Sequence, residues 1–383
     1  MDEKQNKNPV TKILSDKERS DQLRLIRSEN VGPVTFHKLI ERYHNAGDAL
    51  KALPELARLG GRQGKIKICP VSTVAKELEQ YRKINARLIS CFDPEYPPLL
   101  TRLEDAPPLI SIIGHSHLLK KKSIAIVGSR NASINGQQFA TKMARDLGSN
   151  GLLVTSGMAR GIDGAAHSGA IETGTAAVLG GGVDVIYPKE NHDLYHRIAE
   201  NGVIISEVPP GTKPKARHFP ARNRIISGMS RGIVVVEAAP RSGSLITARM
   251  ALEQGREVFA VPGSALDPRA RGSNDLIRQG AILTESAEDV LNELKAQSDG
   301  PRLDQRHSEF ITKHPATPPS ESEMKKARAA IKDALTTTPT AVDMIIRATG
   351  LSPGSVATVL LELELAGRLE RHPGNKVSWL GEL

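Results

Sequence analysis

Short apolar runs alternate with helix-length stretches between residues 123 and 286, and this alternation is the clearest pattern in the chain. The runs are rich in β-branched residues and mostly lead into glycine or serine: SIAIVG, LLVTSG, TAAVLGGG, GVIISE, GIVVVEA, EVFAVPG and GAILTES. Such alternation is typical of parallel strands joined by crossover helices. We therefore predict an α/β domain with a Rossmann-like parallel sheet over residues 111–296.

Apolar residues at helical spacing predict a helical module before the sheet, over residues 21–110. They include pairs three and four positions apart, among them Leu23, Ile26, Phe36, Leu39 and Ile40. The stretch NVGPVT, at 30–35, lies between the first predicted helices. It is similar to the turn of helix-hairpin-helix and SAM-like DNA-binding modules, and a plain connection between two helices explains it equally well.

The two ends of the chain have different character. Residues 1–20 are polar and charged, which predicts a mobile tail, and residues 297–323 are rich in Pro, Ser and charge, which predicts a flexible linker.

Residues 324–383 show the pattern of a winged helix, with its third helix starting at Pro353 after the N-cap Ser352. That helix bears two glutamates and no cation, which favours a protein contact or an internal regulatory role over duplex DNA binding. The cations Arg368, Arg371 and Lys376 near the wing keep DNA binding open.

Charge and composition narrow the expected partners and compartment. Lys and Arg number 52 against 43 Asp and Glu, a formal net charge of +9 that favours a polyanionic partner. The opening MDEKQNKNP lacks the apolar segment of a signal peptide, and no stretch offers the roughly 18 apolar residues of a membrane span. Two cysteines are too few for a disulfide framework or a zinc site and fit a reducing compartment. We expect a cytoplasmic protein without a membrane span.

Glycine, serine and cationic residues collect where the predicted strands end, which is where parallel sheets form their ligand crevice. Glycine exposes backbone N–H groups, serine adds a donor, and a following helix N-terminus adds positive potential, so these ends predict a phosphate-binding surface. The sequence contains neither G-x-G-x-x-G nor a P-loop motif, which disfavours dinucleotide binding and P-loop ATPase activity. The loop cations outnumber what a mononucleotide needs and favour a strand of nucleic acid.

The segment FPARNRIISGMS, residues 219–230, places Arg222 and Arg224 around Asn223. We predict that both arginines lie at a loop-to-helix transition and hold phosphate oxygens, while the following two isoleucines anchor the helix in the core. The alternative is that one arginine pairs with an acid such as Glu207 or Glu237 and is structural.

Acid and base residues near these loops form a poor catalytic set. Asp163 and His167 lie four apart on one helix face and could form an acid-base pair or half a metal site, but such an Asp more often caps the helix and such a His packs beneath it. Asp184 and Glu237 are expected to order glycine loops by accepting backbone hydrogen bonds. We therefore expect no catalytic residue, no metal site and no cofactor.

The strand-end motifs closely resemble those of the DNA-processing protein A (DprA/Smf) family of bacteria. The matching runs follow one another in order: VGSR, SGMARGIDGAAH, GGGVDVIYPKEN, IISEVPPG, FPARNRIISGMS, VVVEAAPRSGSLITA, VFAVPG and RGSNDLIRQGA. The flanking modules also fit, because some members of this family have a SAM-like domain before the sheet domain and a winged-helix-like domain after it. The resemblance implies a homodimer, formed through the Rossmann-like domain, that binds single-stranded DNA with little sequence preference. It also implies protection of incoming or recombining strands, loading of the recombinase RecA in natural transformation or recombination, and no enzymatic activity.

Carried over by motif, the resemblance implies a set of DNA contacts at the strand ends. The first group is Gly128, Ser129, Arg130, Ser156, Gly157, Arg160, Lys189, Arg222 and Arg224, and a second group is Phe219, Asn223, Ser242, Gly243 and Ser244. Aromatic residues make up only 3% of the chain, so affinity should come mainly from phosphates and not from a long stacking platform.

A second class of function is an enzyme acting on a nucleotide or a phosphorylated small molecule in the same crevice. It requires a carboxylate or a nucleophile beside the phosphate loops, and Asp163, His167 and Glu237 are the residues that would serve.

Overall fold

The computed structural model describes residues 14–299, 321–372 and 374–381, which fall into two compact units. The first unit contains residues 75–299, and the second contains residues 16–74 together with residues 321–381. Of the predicted tail, residues 1–13 lie outside the described residues, while a helix already begins at Asp16. Most of the predicted linker, residues 300–320, also lies outside them.

A nine-stranded sheet forms the centre of the first unit. Its strands are β1 (Arg87–Ser90), β2 (Leu109–Gly114), β3 (Ser123–Gly128), β4 (Leu153–Ser156), β5 (Thr175–Val178), β6 (Val203–Ser206), β7 (Gly232–Val236), β8 (Glu257–Ala260) and β9 (Ile282–Leu283). They lie in the order β1-β2-β6-β5-β4-β3-β7-β8-β9. Every pair from β6 to β9 along this order is parallel. The predicted Rossmann-like parallel sheet is therefore confirmed.

Helices cover both faces of the sheet. They are α5 (Ile134–Ser149), α6 (Ile162–Ala170), α7 (His192–Asn201), α8 (His218–Met229), α9 (Gly243–Glu253), α10 (Arg271–Arg278) and α11 (Ala287–Asp299). Another helix, α4 (Val71–Lys83), contains the boundary at residue 75 between the two units. Along β3, Ala125 and Val127 pack into a core that includes residues of α8 and α9, while Ile124 and Ile126 pack into a core with α5, α6 and α11. Successive side chains of a strand point to opposite faces, so burial of both faces explains why these strands are continuously apolar.

The amino-terminal edge of the sheet corrects the predicted boundary at residue 110. Strand β1 lies within the segment that was assigned to the helical module, yet it pairs with β2, and β2 pairs with β6. Both pairs are antiparallel, unlike the rest of the sheet. The run RLIS of β1 is too short to signal a strand by itself, and only its partner strand makes it one.

The second unit combines both ends of the chain. Its elements are α1 (Asp16–Ile26), α2 (Pro33–Tyr43), α3 (Ala46–Leu59), α12 (Glu321–Ala334), α13 (Val342–Thr349), α14 (Pro353–Leu365), β10 (Thr340–Ala341), β11 (Leu369–His372) and β12 (Lys376–Trp379). The last three strands form an antiparallel sheet in the order β10-β12-β11. The hydroxyl of Ser352 accepts a hydrogen bond from the Ser355 N–H and caps α14. The predicted helical module and winged helix are both confirmed.

Within residues 14–299, 321–372 and 374–381, no single helix is long and apolar enough to cross a bilayer. Only α13 and α14 taken together have that length and composition, and they are bent by 119° at the break between them.

Candidate nucleic-acid interface

Loops at the carboxyl edge of the parallel strands enclose two neighbouring cavities, which we call the crevice. The first cavity has a volume of about 440 Å³ and lies between the loops after β4 and β5 and the start of α8. The second, of about 500 Å³, lies between the loop after β3, the start of α8 and the start of α9. Arg130, Ala159, Phe219 and Arg222 line both cavities, so the two are continuous along these residues.

Most of the predicted contact residues line the crevice. The first cavity includes Gly157, Arg160 and Lys189. The second includes Gly128, Ser129, Asn223, Ser242, Gly243 and Ser244. Arg130, Phe219 and Arg222 belong to both, whereas Ser156 and Arg224 line neither. The tertiary structure thus brings together residues that are spread over more than half of the sheet domain's length.

Helix α8 starts earlier than the sequence suggested, and this start decides where its side chains point. The helix runs from His218, so Arg222 and Arg224 both lie inside it and not in a loop before it. Two residues apart on a helix means about 200° of rotation, which places the two arginines on opposite faces. Ile225 and Ile226 are fully buried and anchor the helix in the core, as predicted.

Arg222 is a buried cation at the junction of the two cavities. Only 6% of its surface is exposed, and its Nε has no hydrogen-bond partner within the described part of the chain. Burial lowers the pKa of this guanidinium to about 10, and the charge of nearby Asp163 opposes that shift. The group therefore remains charged at neutral pH. A buried charge with an unpaired donor is unfavourable until an anion reaches that donor.

Gly157 leaves the space that Arg222 occupies. A Cβ atom at position 157 would lie 1.4 Å from Nη1 of Arg222, so any side chain there would displace the guanidinium. The glycine is required by this close approach of a side chain to the backbone, and not by an unusual backbone conformation.

Aromatic rings accompany the cations on the surface of the crevice. Phe219 lies one helical turn before Arg222, and the Cζ of Arg222 is 6.0 Å from the centre of its ring. The Cζ of Arg130 lies 5.2 Å from the same ring. Tyr187, which is 49% exposed, has its ring centre 5.9 Å from that of Phe219. These rings offer faces for one or two bases, but not for a long row of stacked bases.

The remaining cations stand at the rim of the crevice. Arg130, Arg160 and Lys189 are exposed, and Arg160 contacts Glu190 at 3.5 Å. Both members of that ion pair are more than half exposed, so the pair is screened by water and leaves the arginine available to another anion.

The start of α9 faces the second cavity. The hydroxyl of Ser242 caps this helix by accepting from the Ser244 N–H at 3.4 Å, and the two serine hydroxyls are 2.7 Å apart. The first turn of α9 contains no acidic residue that would neutralise the N-terminus. This end of the crevice therefore adds backbone and hydroxyl donors to a region of positive potential.

Two predicted contacts are corrected by the geometry. Arg224 forms an ion pair with Glu207 and a second contact with Asp105 at 3.5 Å, so the structural alternative holds for this arginine. The hydroxyl of Ser156 is fully buried and donates to the Ile126 carbonyl at 2.6 Å. Both side chains are committed inside the domain and do not reach the crevice.

Asp163 and His167 have structural contacts, but Asp163 does not cap α6 as predicted: it orders the loop before that helix, while His167 packs against β5. Asp163 accepts hydrogen bonds from the N–H groups of Gly157 and Ala159 at 3.1 and 3.3 Å. Burial raises the pKa of Asp163, and the charge of Arg222 opposes that shift. His167 is fully buried, with Nδ1 2.8 Å from the hydroxyl of Thr175. Thr175 itself donates to the Val154 carbonyl, so His167 is the donor in this contact.

Glu237 and Asp184 hold glycine-containing loops, which confirms their predicted role. Glu237 accepts hydrogen bonds from the N–H of Ser133, at 2.9 Å, and from the hydroxyl of the same residue. Asp184 accepts from the Gly211 N–H at 2.8 Å. The enzymatic alternative depends on Asp163, His167 and Glu237, and each of them is engaged in supporting a loop or a strand.

His167 gives a prediction about acid stability. Burial and the charge of Arg222 lower the pKa of His167 from 6.5 to about 3, so between these values the unfolded chain binds a proton that the folded chain does not. This histidine therefore lowers the free energy of unfolding as the pH falls through that window, by up to about 1.4 kcal/mol per pH unit. Urea unfolding of wild type and His167→Gln over this pH range should show a shallower dependence for the variant. Parallel pH profiles would contradict the assignment, and comparison with the variant cancels the opposite contribution of Asp163.

Several lining residues were missed by the sequence analysis. Tyr187, Asn131 and Thr247 line the crevice but were not assigned to it. The sequence did offer a signal for Tyr187, since an aromatic residue shortly after a glycine-rich strand end is a candidate for stacking on a ligand. Met158 also lines the first cavity, with a φ of 60°, a backbone region that bulky residues rarely adopt. No sequence signal identified Met158, because its conformation is imposed by the loop around it.

Models of protein families match three parts of the chain. The model described as DNA recombination-mediator protein A matches residues 87–295. The DprA-like N-terminal HHH domain matches residues 16–79, and the DprA winged helix domain matches residues 315–375. The chain belongs to the DprA/Smf family. The resemblance predicted from the strand-end motifs is confirmed.

Individual DprA/Smf proteins are similar over most of their length. Protein Smf of Synechocystis is 35% identical over 381 residues, which cover 90% of this chain and 95% of that protein. Protein Smf of Escherichia coli is 38% identical over 315 residues, or 80% of this chain and 81% of that protein.

Two solved DprA structures share the fold. The X-ray structure of DprA from Streptococcus pneumoniae has a TM-score of 0.60 at 37% identity and covers 73% of this chain and 98% of that one. A structure of DprA from Helicobacter pylori, which concerns the single-stranded DNA binding mode of that protein, has a TM-score of 0.51 at 29% identity. It covers 55% of this chain and 96% of that one.

Proposed function

We propose that this protein binds single-stranded DNA in the crevice with little sequence preference and without catalysing a reaction. We propose further that it acts in the cytoplasm, where it protects incoming or recombining strands and helps to load RecA during natural transformation and recombination. Membership of the DprA/Smf family supports the second part, because the matching family model is described as a recombination mediator.

The buried guanidinium of Arg222, with its unpaired Nε, is the observation that most directly supports an anionic ligand. A phosphate could satisfy the Nε donor, which has no partner in the described protein, and a guanidinium can bind two phosphate oxygens at once. Because only 6% of Arg222 is exposed, a contact with its guanidinium contributes more than one on an open surface.

The shape of the crevice favours a single strand over a duplex. Each cavity has room for about one nucleotide, and its walls would receive a base that has been turned out of the stack. The exposed cations at the rim can follow a backbone past the buried arginine.

We propose as DNA contacts the members of the predicted set that line the crevice. They are Gly128, Ser129, Arg130, Gly157, Arg160, Lys189, Phe219, Arg222, Asn223, Ser242, Gly243 and Ser244. Ser156 and Arg224 are not among the proposed contacts, because their side chains bind the Ile126 carbonyl and Glu207 inside the domain.

We also propose a homodimer through the Rossmann-like domain. Strand β9 ends the sheet on one side, and its Leu283 is 49% exposed. A sheet edge with unpaired backbone groups and an exposed apolar side chain is suited to contact with a second copy.

Binding of a fluorescently labelled oligothymidine across a salt series tests the DNA proposal. If ~3–5 phosphates are neutralised, the logarithm of the association constant should fall by roughly 2 to 3.5 per tenfold increase in salt, at about 0.7 per phosphate. The exposed Arg145, on α5, lies outside the crevice lining, so Arg145→Met should keep the slope. A slope near zero, or equally tight binding of a mononucleotide, would return the crevice to a small phosphorylated ligand. RecA filament formation on the prebound oligonucleotide tests the loading step separately.

A further inference from the structure

The third helix of the winged helix, α14, is buried on two sides. On one side, Val359 and Leu363 pack into the core of the winged helix. On the other, Leu361 and Leu365 belong to a different core, which they share with residues of α2 and α3. Both leucines are at most 2% exposed. The helix that commonly enters a DNA groove in this fold is therefore an internal element here.

Polar contacts extend this shared core beyond the leucines. The side-chain amide of Asn30 donates a hydrogen bond to the carbonyl of Leu365 at 3.1 Å. The guanidinium of Arg368 donates to the carbonyl of Gly61 at 2.8 Å. Both bonds join residues more than 300 positions apart in sequence, and each satisfies a backbone carbonyl near the end of a helix.

Gly60 allows the two modules to approach closely. A Cβ atom at this position would lie 2.0 Å from the carbonyl oxygen of Glu362 and 2.9 Å from the Cβ of Ala366. The backbone of Gly60 has φ −72° and ψ 0°, which alanine adopts without strain. The glycine is thus needed for the contact with α14 and not for the turn itself.

The acidic residues of α14 are also committed within the winged helix. Glu362 is 1% exposed and pairs with Arg328 at 2.7 Å, and Glu364 pairs with Arg371 at 2.8 Å. The second pair engages Arg371, one of the cations near the wing for which the sequence analysis left duplex DNA binding possible. The helix consequently presents neither the cations nor the free donors with which proteins bind phosphates and base edges.

We propose that the winged helix uses α14 to bind the helical module at the other end of the same chain, and not to read duplex DNA. The contact makes one composite unit from residues 16–74 and 321–381, independently of DNA binding in the crevice. Any protein that binds α14 must first displace α2 and α3.

Cleavage of the full-length protein between the modules tests this contact. A site-specific protease sequence is inserted between residues 300 and 320, the protein is cut, and the fragments are separated by size exclusion. The carboxyl-terminal fragment of the otherwise wild-type protein should co-elute with the remainder, and Gly60→Ala should release it. Gly64→Ala is the matched control, because a Cβ there meets no atom within 4 Å. A free wild-type fragment, or co-elution of the Gly60→Ala fragments equal to wild type, would overturn the proposal.

Folding of each variant is checked before cleavage. Trp379, in β12, is the only tryptophan of the chain, so unchanged emission reports an intact winged helix. If Gly60→Ala changes that emission, the double variant Asn30→Gly/Arg368→Met decides the question, because it removes both hydrogen bonds without adding volume. The double variant should release a larger share of the fragment than wild type, and equal retention would overturn the proposal.

Binding of labelled duplex DNA tells whether α14 is a protein-binding helix or a DNA-binding helix that the helical module covers. Release of the winged helix by Gly60→Ala should leave duplex affinity unchanged, since α14 presents apolar and acidic side chains. A clear gain in duplex affinity on release would mean that the helical module covers a DNA-binding helix, and the assignment of α14 as a protein-binding helix would be wrong.

Discussion

Arg222→Met should weaken binding of single-stranded DNA by roughly 10- to 150-fold, which corresponds to about 1.5–3 kcal/mol for hydrogen bonds to a charged group. The guanidinium lies at the junction of both cavities, and its Nε has no partner in the described structure. Methionine keeps an unbranched apolar stem, although it is shorter than arginine, and it lacks the guanidinium, so the loss should come from the charge and its donors. Fluorescence anisotropy at low salt measures the effect.

The same variant should remain folded, which separates binding from stability. The shorter side chain leaves space and withdraws the charge that favours ionised Asp163, which costs about 0.5–3 kcal/mol, and loss of the desolvation penalty of a buried charge offsets part of that cost. Urea unfolding followed by circular dichroism measures this quantity. Arg145→Met removes the same charge from an exposed position outside the crevice and should bind as wild type does. Full affinity in Arg222→Met would place the DNA elsewhere on the molecule.

Arg224→Met should give the opposite result, with a loss of about 2–3 kcal/mol in the free energy of unfolding and DNA affinity within about twofold of wild type. Arg224 and Glu207 are 11% and 18% exposed, so removing the cation leaves a largely buried carboxylate without its partner. The same urea titration measures the loss. Combining Arg224→Met with Glu207→Gln should recover part of the stability, because neither partner is then left as an unpaired charge. Loss of DNA binding without loss of stability would show that Arg224 reaches the ligand.

The different roles of Arg222 and Arg224 follow from the residue at which helix α8 begins. The sequence analysis placed both at a loop-to-helix transition, where both could have pointed toward the ligand. Helix α8 begins at His218, so residues two apart lie on opposite faces, and Phe219 lies on the same face as Arg222. The sequence analysis did name Glu207 as a possible ion-pair partner of one of these arginines, but it could not tell which arginine would form the pair.

Local pattern was sufficient for much of this protein. Continuous apolar runs predicted all the parallel strands, because a strand covered on both faces needs apolar residues at every position. The Ser352-Pro353 cap predicted the start of α14. Most of the contacts predicted from glycine, serine and arginine after the strands line the crevice, because parallel strands place their carboxyl ends at one edge of the sheet.

Long-range contacts decided the rest. Strand β1 became part of the sheet only by pairing with β2, and the hydroxyl of Ser156 was committed to the carbonyl of Ile126 on a neighbouring strand. The union of α14 with α2 and α3 joins segments from opposite ends of the chain, and no pattern within either segment indicates its partner. Periodicity and capping depend on neighbours within one or two turns, so the sequence alone determined them. Burial of Arg222, pairing of Arg224 and docking of α14 depend on which distant residues are brought within a few ångströms, so only the tertiary structure decided them.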